Sequence, residues 1–245
     1  MKDLPKIDLH IHSNFSDGNN SIPNIVEKSI KLLKIICITD HLTNSWKSNI
    51  IPSLNSNEKI ENYLDQISVC QKYLYDKDID LMLLRGVEID ISSSQRYILK
   101  LVNPLNFDII LFEYLESPEG IAFINNLLEY WMRRINNEDK PCVFGLAHFD
   151  PSFFIHGNLD ILIKFLCKYN VFFEFNSSYS HCYSSVNKIF FEKLITAKIP
   201  VSIGSDSHHV STIGNVEEPL EMVQFYNLED NLRNLITILK HSKEK

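Results

Sequence analysis

Residues 8–18 read D-L-H-I-H-S-N-F-S-D-G, placing His10 and His12 one residue apart and Asp17 five positions beyond. Comparable groupings recur along the chain. I-T-D-H supplies Asp40 and His41, R-G-V-E-I-D supplies Glu88 and Asp90, and G-L-A-H-F-D supplies His148 and Asp150. E-F-N supplies Glu174, and I-G-S-D-S-H-H supplies Asp206, His208 and His209. Histidine is the commonest transition-metal ligand among side chains, and carboxylates complete such sites. Gathered together without cations, these groups would repel and desolvate one another. Two or three divalent ions would remove that conflict, and water held between them would have its pKa lowered towards neutrality and become a nucleophile.

These residues need elements to carry them. Short apolar runs at 6–12, 35–40, 81–91, 107–112, 142–147, 171–175 and 201–205 are expected strands. Amphipathic stretches at 22–33, 59–75, 119–136, 160–169, 184–197 and near 228–240 are expected helices, the first with Ser21 as N-cap and Pro23 in its first turn. Strands mostly followed by helices imply parallel βαβ units, closed into a barrel or left as a doubly wound open sheet. Of the nine histidines, six lie at or just past the C-terminal ends of expected strands, the face where α/β barrels build their active sites. Alternation along an extended strand points His10 and His12 the same way, and likewise Asp206 and His208, while His209 faces away. His156, His181 and His241 sit at no strand end and read as ordinary surface or core histidines.

Composition narrows the partners. The 245 residues suit one large domain spanning 1–245, without an internal repeat or a Gly/Ser linker. A net charge of −7, with no long basic run, argues against tight sequence-independent nucleic-acid binding, leaving at most a short oligonucleotide as substrate. Five scattered cysteines lack zinc-knuckle or redox spacing and read as reduced thiols in a cytoplasmic protein. No apolar run approaches the ~20 residues of a bilayer span.

Taken in order, DLHIHSNFSDG, ITDH, GVEI, LAHFD and IGSDSH resemble the successive motifs of the PHP (polymerase and histidinol phosphatase) superfamily, from Asp8 to about Gly214. The resemblance implies a distorted (β/α)7, TIM-like barrel with its site at the C-terminal ends of the strands. It also implies a centre of manganese, iron or zinc that hydrolyses phosphate esters. Carried over residue by residue, it has His10, His12 and Asp206 bind one metal. Glu88 bridges that metal to a second, which His148 also holds, and Asp17, His41 and His208 hold a third. The chain departs from the pattern on the fourth strand, where members often supply a histidine and this one reads F-D-I-I-L-F-E-Y-L-E-S. Glu113 is the best-placed substitute there, as a harder ligand that favours manganese or iron over zinc. Otherwise the second site is weak or empty, leaving a two-metal enzyme.

The reaction expected is hydrolysis of a small phosphorylated substrate, with a metal-activated hydroxide attacking phosphorus. Asp40 is expected behind the ligands, orienting a ligand histidine or acting as an acid toward the leaving group. Lys47, Arg85 and Arg96 lie nearest the motifs but read as solvated surface charges. A nuclease or phosphodiesterase acting on short oligonucleotides is one alternative, and a non-catalytic metal-binding domain another. A metal-dependent amidohydrolase would usually carry a bridging lysine on a barrel strand, and no lysine occupies a plausible position here.

Overall fold

The computed structural model of the protein describes residues 4–135 and 142–243. Its centre is a parallel sheet in the order β1 (Ile7–Ile11), β2 (Ile35–Ile38), β4 (Met82–Asp90), β5 (Ile109–Glu113), β6 (Val143–Leu146), β7 (Phe172–Asn176) and β8 (Val201–Gly204). A two-residue strand, β3 (His41–Leu42), also pairs with β4. The two edges meet, because Ile11 bridges Ser207 in parallel and the His12 N–H donates to the Ser207 carbonyl at 2.9 Å. Below that seam, Asp8 of β1 accepts from the Ser205 N–H (2.9 Å), the Ser205 hydroxyl (2.6 Å) and the Gly214 N–H (3.0 Å). The open-sheet alternative is thereby excluded, and the architecture is the distorted (β/α)7 barrel.

The strands are buried on both faces, as all-parallel sheets must be. Helices α1 (Ile22–Ser29), α2 (Asn57–Asp76), α3 (Gln95–Leu101), α4 (Pro118–Met132), α5 (Ser152–Ile155), α6 (Leu159–Tyr169), α7 (Lys188–Ala197), α8 (Glu217–Phe225) and α9 (Glu229–Lys243) complete the fold. Local sequence accounts for several of their ends. Ser56 accepts from the Lys59 N–H to cap α2, and Ser117 accepts from the Gly120 N–H to cap α4. Asn170 and Lys198 end α6 and α7 in the left-handed conformation, which closes the last turn onto free carbonyls. The aromatic side chains of Phe173, Phe175, Phe190, Phe191 and Tyr226 interlock where β7 meets α7 and α8.

The sequence reading departs from the fold in a few places. The expected strand 35–40 is interrupted after Ile38, where the Thr39 N–H turns aside to the Ile11 carbonyl (2.8 Å), and pairing resumes at His41 in the same register. The first helix ends at Ser29 rather than 33, because the Leu32 and Leu33 N–H groups both fold back to the Ser29 carbonyl. The helix expected from 184 starts at Lys188 after two 3₁₀ segments. Helices α3, α5 and α8 were not expected. The helix expected over 119–136 is seen as Pro118–Met132, and Asn136 lies outside the described residues.

Candidate metal centre

Glu88, fully buried on β4, is the hub of the barrel mouth. Its Oε1 lies 3.1 Å from His148 Nε2. Its Oε2 faces His41 Nδ1 at 2.9 Å, His10 Nε2 at 3.4 Å and His12 Nε2 at 3.5 Å. His10 and His12 leave β1 on the same side, as alternation requires, and their Nε2 atoms converge to 3.0 Å. Asp206, just past β8, brings Oδ1 to 2.9 Å from His12 Nε2 and 3.4 Å from His10 Nε2. A neighbouring group forms where Asp17 meets His208 (Nε2 to Oδ1, 3.3 Å), His41 (Nε2 to Oδ2, 3.6 Å) and His12 (Nδ1 to Oδ1, 3.8 Å). Gly18 makes that turn possible, since a Cβ there would collide with the His12 carbonyl.

Three sets of donor atoms lie within 4.8 Å of one another: His12–Asp17–His41–His208, His10–His12–Glu88 and His41–Glu88–Glu113. All nine residues expected as ligands are at the mouth, although His148, which touches Glu88, and Asp206, which touches His10 and His12, belong to none of these three sets. Two buried carboxylate oxygens, Glu88 Oε2 and Asp17 Oδ1, make no aligned hydrogen bond, although imidazole nitrogens face them at 2.9–3.5 Å and 3.3–3.8 Å. Charged oxygens ringed by nitrogens in this way fit a cation, either protons on the imidazoles or a bound metal ion.

Behind the donors, partners fix their geometry. Glu174 of β7 accepts from His10 Nδ1–H at 2.9 Å with one oxygen. Its other oxygen accepts from the His148 N–H (2.8 Å) and Asn176 Nδ2 (3.0 Å). A carboxylate only accepts, so Nδ1 carries a proton, and Nε2 is the nitrogen turned to the cluster, the one that would bind a metal once its own proton is lost. Gly204 clears the path for this contact, because a Cβ would collide with Glu174 Oε1 and lie 2.7 Å from His10 Cβ. Asp40 accepts from the N–H groups of Ser13 (2.9 Å) and Ser16 (3.0 Å) and from both of their hydroxyls. It thus fixes the loop that carries Asp17 and touches His12 only through Ser16, whose Oγ lies 3.5 Å from His12 Nδ1. Tyr179 stacks on His148 with ring centres 4.4 Å apart.

Backbone strain collects here. Tyr114 (φ 67°), His148 (φ 34°) and Asp206 (φ 53°) each occupy the left-handed region at the end of a barrel strand. Bulky residues seldom adopt it, at a cost of about 1–3 kcal/mol each, and the surrounding contacts must hold them there.

Charge is finely opposed. Burial would raise the carboxyls of Glu88, Asp17 and Asp206, yet the imidazoles around them hold all three well below the usual carboxylate range. Burial would lower His10, but Glu174, Glu88 and Asp206 outweigh it and carry the imidazole well above its ordinary value. His41, His148 and His208 are raised against burial in the same way, chiefly by Glu88 for the first two and by Asp17 for the third. His12 goes down, through burial and the charge of His41. Protons on imidazole do here what metal ions do in a loaded site.

Two residues were misread or missed in the sequence. Lys47, read as a solvated surface charge, has a side chain only 12% exposed and donates to both Glu113 oxygens at 3.0 and 2.8 Å. Glu174 stood at a strand end in E-F-N, but its role depends on His10, 164 positions away. His209 is bound to Ser211 and His241 to the Thr237 carbonyl, so both serve their own loop or helix.

An α/β barrel with a candidate multinuclear metal centre at its mouth is the class that the fold and the residues define. Residues 8–245 match the PHP domain family, and the chain belongs to it. Among solved structures, it is similar to a protein of Listeria monocytogenes provisionally assigned as the histidinol phosphatase hisK (18% identity, TM-score 0.58, covering 85% of this chain and 97% of that one). It is also similar to a chain from the structures of YwqE from Bacillus subtilis and CpsB from Streptococcus pneumoniae, described as metal-dependent tyrosine phosphatases (20% identity, TM-score 0.51, covering 93% and 94%). At these identities the likeness speaks for the fold. No curated protein matches the sequence.

Proposed function

We propose that the protein is a metal-dependent phosphoesterase that hydrolyses a small phosphorylated substrate. The observation that supports this reading is the convergence of imidazoles on the buried oxygens Glu88 Oε2 and Asp17 Oδ1, in clusters able to hold metal ions, at the mouth of a PHP barrel. His10, His12, Glu88 and Asp206 would hold one ion, and Asp17, His41 and His208 another. Glu88 and His148, with Glu113 at the side, are the donors left for a third. Bound there, manganese, iron or zinc would supply a water of lowered pKa and neutralise charge on the phosphoryl oxygens. The chain's own residues prepare the geometry. Glu174 keeps the His10 proton on Nδ1 and pins the His148 backbone, while Asp40 acts as a positioning residue for the Asp17 loop rather than as an acid.

Beside His148 lies a pocket of about 240 Å³ lined by Tyr114, Glu116, Asp150, Phe153, Tyr179 and His181. Its volume matches a small leaving group, and its aromatic walls suit a flat or apolar one. Glu116 and Asp150 would repel the successive phosphates of an oligonucleotide, which favours a monoester over a nucleic-acid end. None of the described helices is long and apolar enough to cross a membrane. Five cysteines, none of them in a disulfide, fit a reducing, cytoplasmic setting.

A manganese-loaded preparation offered a panel of phosphomonoesters and a 5′-labelled oligonucleotide tests the reading. Inorganic phosphate should be released from at least one monoester, and His12→Ala should abolish the release. Full activity in His12→Ala, or cleavage of no phosphoester under any of the three metals, overturns the proposal.

A further inference from the structure

We propose that the Lys47 ammonium stands in place of a metal ion at the Glu113 corner of the site, so that the protein holds two metal ions and a fixed lysine instead of three metals. The inference rests on the reading of this barrel mouth as a metal centre, and its test does not depend on turnover.

Of the three sets of clustered donors, His41–Glu88–Glu113 is already filled. Lys47 Nζ lies 3.0 and 2.8 Å from the two Glu113 oxygens and 3.4 Å from each ring nitrogen of His41, with the Tyr114 ring centre 5.1 Å away. Glu113 is 1% exposed, so its charge needs a partner inside the protein, and the ammonium engages both oxygens that a metal would use. A divalent ion on the same carboxylate oxygens would stand within a few ångströms of the ammonium and be strongly repelled. His148 has lost its company as well. Its Nε2 meets Glu88 Oε1 at 3.1 Å, and β5, which carries Glu113, brings no histidine to complete a third ligand set.

The lysine is held, not merely near. It sits in the 3₁₀ turn Trp46–Asn49, where Ser45 Oγ accepts from the Lys47 N–H at 3.2 Å. The Ser45 hydroxyl donates to Asp90, and the Thr43 hydroxyl donates to the same Asp90 oxygen at 2.8 Å. Asn44 fastens the segment further, its N–H to Ser93 Oγ (3.0 Å) and its Oδ1 accepting from the Ser94 N–H (2.9 Å). Asp90, fully buried at the end of β4, thereby gains a purpose that the ligand set does not give it. It anchors the turn that aims Lys47 over the cluster. A lone ammonium brings one positive charge and three donors where an ion would bring two charges and open coordination.

Metal content decides the matter. The protein, stripped and reloaded with manganese or zinc in modest excess, is passed through a desalting column and read by native mass spectrometry and elemental analysis. Two ions per chain are expected for the wild type. Lys47→Met keeps the apolar stem but removes the charge, freeing Glu113 to act with Glu88 beside His41, and three ions are expected. The double variant Lys47→Met/Glu113→Gln should return to two. Lys47→Gln serves in parallel should the methionine variant not fold by circular dichroism. Three ions in the wild type, or two in both folded single variants, overturns the proposal. A chain that binds no ions at all would instead defeat the metal-centre reading on which it rests.

Discussion

Replacing Glu174 by glutamine changes one atom at the back of the site and should reach the metals through a proton. Glu174 accepts three hydrogen bonds: His10 Nδ1–H on one oxygen, and the His148 N–H with Asn176 Nδ2 on the other. A glutamine has one accepting and one donating end. If its oxygen faces His10, its NH₂ confronts two donors and loses both bonds. If its oxygen keeps those two, its NH₂ must donate to His10 Nδ1, which drives the His10 proton onto Nε2. The second arrangement saves two bonds at the expense of one inversion, so it should prevail. Nε2 is the nitrogen that faces His12, Glu88 and Asp206 at 3.0–3.4 Å, and once protonated it offers no lone pair to a metal. Loss of such an orienting partner typically weakens metal affinity by ~10–100-fold, or about 1.4–2.8 kcal/mol. Competition against a chromophoric chelator measures the affinity, and long-range ¹⁵N–¹H NMR of the histidine rings reads the tautomer. Wild-type affinity in Glu174→Gln with the His10 proton still on Nδ1 would refute the reasoning, and a thermal melt would show whether the fold is intact.

Other outcomes follow from the same geometry. Gly204→Ala should push Glu174 off His10, lowering stability by about 1–3 kcal/mol, the usual cost of overpacking, and weakening metal binding together with it; denaturant melts and chelator competition check both. Asp40→Ala orphans the buried N–H groups of Ser13 and Ser16, at about 1–3 kcal/mol for each such donor, and loosening of the Asp17 loop should appear as faster hydrogen exchange at residues 13–18. For pH, His10, His41, His148 and His208 have folded-state pKa values above the ordinary 6.5. The folded metal-free protein therefore binds more protons than the unfolded chain above that pH, so its stability falls as pH rises from 6.5 through those values. His12, which is lowered, opposes this but is outnumbered. With manganese the trend should reverse, since deprotonated imidazoles bind metal more tightly. Urea midpoints at pH 6, 7 and 8, with chelator and with metal, provide the check, and equal midpoints across that range in chelator would contradict the prediction.

The part of the site that could be read from sequence is the part governed by local periodicity. His10 and His12 face together because a strand alternates, and the other donors stand where apolar runs stop, which is the mouth of a barrel. What stayed hidden depends on residues far apart in the chain. Nothing around Glu174 announces that it will hold His10, and nothing around Lys47 announces that it will meet Glu113, 66 positions away. Lys47 carries an ordinary surface residue type in a polar loop, and only the fastening of Thr43 and Ser45 to Asp90 turns it inward. Helices α3 and α5 are 7 and 4 residues long, too short to show a helical period.

The seam between β1 and β8 has a consequence for how the protein matures. Asp8 and Ser205 are 197 residues apart, and His10 and His12 stand on one side of that seam with Asp206 and His208 on the other. Closing so long a span costs chain entropy before any contact rewards it. Both principal donor groups draw on each edge, so an unfinished or misregistered barrel has only half of either. Metal uptake is thereby tied to closure of the barrel. Ions would fasten a barrel that is already correct and give no help to one that is not, which makes occupancy of this centre a reporter of completed folding.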